Sequence, residues 1–157
     1  MVEVVLTAWA YKHCVDVATT RMSVSIGNNI ADITPFERTY NERLMIDIQG
    51  VCGELAVAKA INRYWQPSVN TFHGVPDIAP DIEVRCTDKP DNCLVVRDND
   101  PDDRWYFLVI GVPPKFDVKG YIRGSDAKED QWKRNPGGHR PAWFVPQSQL
   151  RPVCKKG

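Results

Sequence analysis

The chain has 157 residues, of which 43% are hydrophobic, and its 20 basic and 20 acidic residues give a formal net charge of zero. This length fits one ordinary domain, and the hydrophobic fraction argues against intrinsic disorder. A neutral chain is not a general nucleic-acid binder, so any contact with DNA must come from a local patch. We predict a single domain over residues 1–157, with an N-terminal helix and an irregular connection over 1–42 and a core over 43–150.

The cysteines and the first ten residues predict the cellular compartment. The chain has five cysteines, an odd number, and none of them forms a CxxC pair. This pattern predicts reduced thiols in a reducing compartment rather than a disulfide framework. The first ten residues are apolar, but they are too few to span a bilayer and lack a basic start. We therefore expect a cytoplasmic protein that has no membrane partner.

The first half of the chain predicts two helices. Thr7 is a plausible N-cap for a helix that ends near Met22. A second helix is predicted over residues 43–64 from the spacing of its apolar positions. Gly50 and Gly53 each cost about 1 kcal/mol of helix propensity relative to alanine. Glycines at these positions predict close packing of the helix against another element.

The second half of the chain has the pattern of strands. Alternation predicts strands over 82–87 and 116–123, and the nearly continuous apolar run 105–112 predicts a central strand that is buried on both faces. Shorter strands are predicted over 93–97 and 142–145, and Ser125 is expected to cap a short helix through Trp132. The predicted fold class is α+β, with a central mixed sheet of about four to five strands flanked by helices.

The acidic residues Asp77 and Glu83 are the first candidates for chemistry. They converge if the chain forms a hairpin through Ala79 and Pro80. Two carboxylates at one point repel each other unless a hard cation lies between them, and Mg²⁺ prefers such oxygen ligands. Arg85 lies two positions after Glu83, on the same face of the strand, where a guanidinium can bind a phosphate. The alternative is that these residues are ordinary acids on a solvated strand edge.

Three passages in order carry a resemblance to a known family. Residues 50–60 place Glu54 on a helix beside glycine, and residues 75–78 and 82–85 hold an acid followed by an acid-x-basic element. Residues 120–128 and 142–150 have the pattern of a closing strand, a helix and a tail. Over about residues 43–150 the chain resembles the PD-(D/E)xK nuclease superfamily, and in particular its small phage-encoded members.

The resemblance implies an α/β/α-like restriction-endonuclease fold and a metal site. Glu54, Asp77 and Glu83 match the acids that hold Mg²⁺ in this family, for which Mn²⁺ can substitute. Arg85 matches the basic position, where the family usually has lysine. An arginine stays protonated and cannot act as a base, so the departure bears on catalysis. Asp81 follows Pro80 and is a rival to Asp77 for the first acid of the motif.

The expected function is therefore a metal-dependent phosphodiesterase that cleaves DNA. The alternative is a catalytically impaired nuclease-fold module that binds DNA or a host protein, and a phage structural or assembly factor is a third reading. Lys133, Arg134 and Arg140 lie among aromatic residues and are the candidate contacts to nucleic acid. The acidic stretch 98–103 is expected to face away from bound DNA. A homodimer is left open.

Overall fold

The computed structural model describes residues 1–28, 38–69, 74–138 and 140–154. The elements, in chain order, are β1 (Val2–Val5), α1 (Ala8–Gly27), α2 (Tyr40–Ala60), β2 (Ile82–Thr87), β3 (Leu94–Arg97), β4 (Trp105–Val112), β5 (Lys115–Arg123), α3 (Gly124–Ala127), β6 (Lys133–Arg134) and β7 (Ala142–Val145). Short 3₁₀ turns cover Asp130–Trp132 and Gln147–Gln149. The protein is thus α+β, as predicted. Within the described residues, neither of the two long helices is long and apolar enough to cross a membrane.

The main sheet has four strands in the order β1-β5-β4-β2. β4 pairs with β2 in parallel and with β5 in antiparallel register, so the sheet is mixed. β4 therefore lies in the middle of the sheet, and five consecutive residues of it, from Tyr106 to Ile110, are buried. The prediction of a central strand buried on both faces is confirmed.

Helix α2 covers one face of this sheet, and α1 packs beside α2. Cβ atoms alternate between the faces of a strand, so Ile82, Val84 and Cys86 of β2 all point to the same side. A methyl group placed on Gly53 of α2 would lie 3.0 Å from Cys86 Cβ, which is tighter than ordinary contact. The close packing predicted for Gly53 is confirmed, whereas Gly50 has no atom within 4 Å of such a methyl group, so the same prediction is wrong there.

A second, smaller sheet covers part of the opposite face. It has the order β3-β7-β6, and its buried residues pack against side chains of β4 and β5. The strand over 142–145 was predicted, but the separate sheet and its two-residue strand β6 were not. The predicted strands over 93–97 and 116–123 are present with one-residue differences at their starts.

Several boundaries predicted for the helices are wrong. α1 begins after the predicted cap Thr7 but continues to Gly27, and α2 runs over Tyr40–Ala60 rather than 43–64. Thr39 caps α2 in a reciprocal capping box with Glu42, so the helix starts earlier than its apolar pattern indicates. The helix ends early because Asn62 takes a positive φ of 55°.

Two further differences concern short segments. β1 was not predicted, because four residues are too few to establish an alternating pattern. The single helix predicted from Ser125 to Trp132 is instead α3 followed by a 3₁₀ turn, and no side chain caps α3. Each of the five cysteines is described, and each is a free thiol.

Candidate functional site

The predicted hairpin brings Asp77 beside β2. The backbones of Ile78 and Ile82 exchange two hydrogen bonds of 3.1 and 3.0 Å, with Ala79 and Pro80 at the turn. The chain then enters β2, an edge strand, where the Val84 N–H donates to Asp77 Oδ2 at 2.8 Å. The Asp77 carboxylate therefore lies at the edge of the sheet, next to the residue that follows Glu83.

Glu83 and Arg85 lie on the face of β2 that is turned away from α2. This follows from the strand alternation, since Val84 and Cys86 are on the helix side. The guanidinium of Arg104 donates hydrogen bonds to the Glu83 carboxylate and to the Gly74 carbonyl. An arginine that precedes β4 thus connects the start of the hairpin to the acid on β2.

The Arg85 side chain is held by neighbours on the face of the sheet that is turned away from α2. It donates to Asp100 Oδ2 at 2.7 Å and to the Val95 carbonyl at 3.3 Å, and its guanidinium lies 5.2 Å from the Tyr106 ring centroid. The distance from Arg85 Nη1 to Glu83 Oε2 is 3.9 Å. The carboxylate of Asp100, rather than Glu83, is therefore the main partner of this guanidinium.

Glu54 lies on the other face of the sheet, on α2. Its carboxylate accepts two hydrogen bonds from the Arg21 guanidinium of α1, at 2.7 and 3.2 Å, which form a bidentate pair. It also accepts one from Trp65 Nε1 at 3.2 Å. Only 6% of Glu54 is exposed to solvent. A buried carboxylate with this set of donors is held firmly in one orientation.

A cleft of about 400 Å³ joins Glu54 to Asp77. It is bounded by α1, α2 and the start of the hairpin, and it includes the open space beside Gly50 that packing does not fill. The lining residues are Arg21, Ser25, Ile46, Asp47, Gly50, Val51, Glu54, Ser68, Val69, Val75 and Asp77. Two of the three predicted acids therefore share one solvent-accessible space.

Burial and the charge of Asp77 both raise the pKa of each of the two glutamates. Burial raises the pKa of Glu54 to about 7, and the charge of Asp77 adds to this shift while Arg21 and Trp65 oppose it. The pKa of Glu83 is also raised, first by burial and then by Asp77, against the opposing effect of Arg104 and Arg85. Asp77 thus lies within electrostatic reach of both glutamates, although these are on opposite faces of the sheet.

These residues fit a divalent cation in part. Over the described ranges 1–28, 38–69, 74–138 and 140–154, no three His, Cys, Asp or Glu side chains come close enough together to form a metal-binding group. The expected cluster of three acids is therefore not assembled. Mg²⁺, however, commonly takes only one or two carboxylates and completes its shell with water and substrate phosphate. Asp77 and Glu54, which face one cleft, offer hard oxygen donors of that kind.

The rival acid Asp81 occupies a different place. It does not line the cleft that Asp77 shares with Glu54, and it lies instead at a second cleft, beside Trp105. Its carbonyl accepts a hydrogen bond of 2.8 Å from the Trp105 N–H. The positions favour Asp77 over Asp81 as the acid that accompanies Glu54.

The predicted nucleic-acid contacts lie on the small sheet. Lys133 and Arg134 form β6 and are exposed, and the Lys133 ammonium is 5.3 Å from the Trp143 ring centroid. Arg140 is also exposed and lines a hollow of about 250 Å³ with Arg97. The three predicted residues are therefore close to one sheet, but they are not part of the cleft that holds Asp77.

The acidic stretch 98–103, expected to face away from bound DNA, has one member in contact with a predicted site residue, Arg85. Asp100 Oδ2 accepts from Arg85 and also from the Arg97 N–H at 2.8 Å, and Asp102 is paired with Lys128 at 2.6 Å. The carboxylates of Asp100 and Asp102 are therefore each paired with a basic side chain of the protein. The stretch therefore connects the small sheet to the β2 edge.

Three important side chains were missed by the sequence prediction. Arg21 and Trp65 hold Glu54, and Arg104 holds Glu83. No local motif marks Arg21 or Trp65, because their role depends on the packing of α1 beside α2. No local motif marks Arg104 either, because its position depends on the parallel pairing of β2 with β4, which places the start of β4 beside Ile82.

Comparison of the chain with protein-family models, with curated proteins and with solved structures found no match.

Proposed function

We propose that this chain is a metal-dependent phosphodiesterase of the PD-(D/E)xK type that cleaves DNA, with Asp77 at the centre of its site. The observation that carries the proposal is the position of Asp77. Its carboxylate shares a cleft with Glu54 and lies at the edge of β2 next to Glu83. Asp77 thus neighbours one acid on a helix, with which it shares a cleft, and a second acid on a strand, and this arrangement supports the proposal.

The donor set supports Mg²⁺, with Mn²⁺ as a substitute. Asp77 and Glu54 would hold the cation from the cleft, and Glu83 would contribute from the edge of β2. A bound cation of this type supplies a Lewis acid for a phosphate oxygen and lowers the pKa of bound water. The open side of the cleft, beside Gly50, leaves room for a phosphate group.

The arginines would orient the substrate. Arg85 and Arg104 are permanently charged, so they can bind a phosphate or stabilise negative charge in the transition state, but they cannot remove a proton. Arg104 lies against Glu83, and Arg85 lies between Asp100 and Glu83. Binding of a phosphate would require these guanidinia to share or exchange their present carboxylate partners.

The test is a cleavage assay with matched variants. Purified protein is incubated with plasmid, linear duplex and single-stranded DNA in Mg²⁺, in Mn²⁺ and in EDTA. Asp77→Asn and Glu83→Ala should each reduce metal-dependent cleavage at least about a hundredfold, because each removes a charge from the reacting centre. Asp91→Asn changes an exposed acid in the turn after β2 and should retain wild-type activity.

Circular dichroism of each variant confirms that it is folded. The nuclease proposal is wrong if the folded wild type cleaves none of these substrates with either metal. It is also wrong if Asp77→Asn cleaves as fast as wild type.

A second candidate is a nuclease-fold module that binds DNA or a host protein without cleaving it. The observation that favours it is that Glu54 and Glu83 are each already bonded to a guanidinium, while Arg85 stands at the position where the family usually has lysine. Such a module would bind labelled DNA equally well in EDTA and in Mg²⁺. Titration with Mn²⁺, followed by its electron paramagnetic resonance signal, should then show no binding that depends on Asp77.

A further inference from the structure

A second cleft, called here the aromatic cleft, lies on the helix-covered face of the main sheet. It is bounded by the end of α2, the start of β2 and the segment around Val153, and its volume is about 450 Å³. Ligand pockets commonly have volumes of about 300–1,000 Å³ and combine apolar and aromatic walls with a few polar groups. The aromatic cleft has that composition, with Asp81 and Arg63 as charged groups on its wall.

Three aromatic rings form one wall of this cleft. Tyr121 stacks on Phe107 with centroids 4.9 Å apart and an interplanar angle of 16°, and it meets Trp105 edge to face at 5.6 Å. Trp105 and Tyr121 are only partly buried. The sheet itself fixes their positions, because Phe107 and Tyr121 are direct cross-strand partners on β4 and β5. The wall is therefore a rigid, partly exposed aromatic surface.

Cations lie against the same wall. The guanidinium of Arg123 is 5.0 Å from the Trp105 ring centroid, and that of Arg151 is 5.3 Å from it. Arg151 is also paired with Asp126 at 3.2 Å, and both side chains are about half exposed. Bases in single strands stack on aromatic side chains and on the planes of arginine guanidinia, and arginine also binds phosphate.

A carboxylate faces this surface from the hairpin. Asp81 is partly buried and lines the cleft, and within the described parts of the chain its side chain has no hydrogen-bond or ion-pair partner. Such a carboxylate accepts hydrogen bonds from the exocyclic amino group of a base, as acidic side chains do with cytosine. Thymine has no exocyclic amino group and would leave the carboxylate unpaired.

We propose that the aromatic cleft binds one unpaired nucleotide of a nucleic-acid strand, with its base against Trp105 and Tyr121 and its amino group toward Asp81. This inference rests on the proposed action on DNA and adds a site that selects the substrate strand. The hairpin that presents Asp77 to the first cleft presents Asp81 to the aromatic cleft. A strand held here therefore lies beside the candidate phosphodiesterase site.

Binding in EDTA tests this proposal without cleavage. Labelled single-stranded oligonucleotides of dC, dA and dT, and a mixed-sequence duplex, are titrated with protein and followed by fluorescence anisotropy. Wild type should bind the dC and dA strands about fivefold or more tightly than dT, and the duplex most weakly, since its bases are paired. Asp81→Asn should remove the preference over dT, because it replaces an acceptor-only carboxylate by a group that also donates.

A second variant tests the aromatic wall. Trp105→Leu should weaken binding of every single strand about tenfold, which is within the range measured for removing one stacking side chain. Trp9→Leu is the matched control, because Trp9 is 81% exposed on α1 and lies outside both clefts, and it should bind as wild type does. If Trp105→Leu does not fold, Asp81→Asn still decides the question.

The outcomes separate this inference from the proposed function. Equal wild-type affinity for the dC, dA and dT strands, or an Asp81→Asn variant that keeps the preference, overturns the aromatic cleft as a nucleotide site even if metal-dependent cleavage is intact. Base-dependent binding that is lost in Asp81→Asn supports the cleft even if no cleavage is found.

Discussion

The two faces of the main sheet hold their acidic side chains with different sets of partners. On the helix-covered face, Glu54 is held by Arg21 and Trp65 in a setting that excludes most solvent. On the other face, Glu83 is held by Arg104, and Arg85 by Asp100. Asp77 lies at the edge between them. The comparison shows that one carboxylate at the strand edge can act electrostatically on acids of both faces.

The largest expected effect comes from removing a carboxylate from the more buried pair. Glu54→Ala leaves Arg21 without its bidentate partner, and we expect a loss of about 3 kcal/mol in the free energy of unfolding. Asp100→Ala on the opposite face should cost about 2 kcal/mol, because Arg85 keeps Glu83 nearby. Urea denaturation near neutral pH measures both values. A cost for Asp100→Ala that exceeds that for Glu54→Ala would reverse the comparison.

The paired glycines of α2 sharpen the comparison at a smaller scale. Gly53→Ala should destabilise the protein by about 1–2 kcal/mol, since the new methyl group would lie 3.0 Å from Cys86 Cβ. Gly50→Ala should instead stabilise it by about 0.5–1 kcal/mol, because the position is open and alanine favours the helix. Thermal unfolding of the two variants under identical conditions should show shifts of opposite sign. Shifts of the same sign would contradict the assigned packing.

A final prediction concerns the change of stability with pH. The pKa of Glu54 is raised from 4.5 to about 7 in the folded protein, so the folded state holds this proton more tightly than the unfolded state does. The resulting stability is fully present below about pH 4.5 and is lost as the pH rises through about 7. Between about pH 5 and pH 8 in EDTA, wild type should therefore lose more stability than Glu54→Gln. Parallel curves for the two proteins would contradict the assigned shift.

Local patterns predicted much of the sheet and part of the site. The alternation of β2 and the continuous apolar run of β4 are properties of short segments, so both strands were predicted with correct bounds. The same alternation placed Glu83 and Arg85 on one face of β2. The start of α2 could also have been predicted, because Thr39 and Glu42 have the spacing of a capping box.

The remaining features depend on contacts between distant segments. The pairing of Arg21 with Glu54 exists only because α1 and α2 lie side by side, and Arg104 reaches Glu83 only through the parallel pairing of β4 with β2. The pairing of Asp100 with Arg85 likewise joins two segments that are separate in sequence. Patterns within a short segment of sequence therefore do not predict such pairs.

The position of β1 has a consequence for how the protein reaches this structure. β1 pairs with β5, so Val2 and Val118 are neighbours although most of the chain separates them. During synthesis from the amino end, the backbone groups of β1 have no native strand partner until β5 has emerged. Contacts of such large sequence separation carry a high loop-closure cost and are associated with slow folding. An immature chain would therefore present an unpaired, valine-rich strand, which is a template for pairing with another chain.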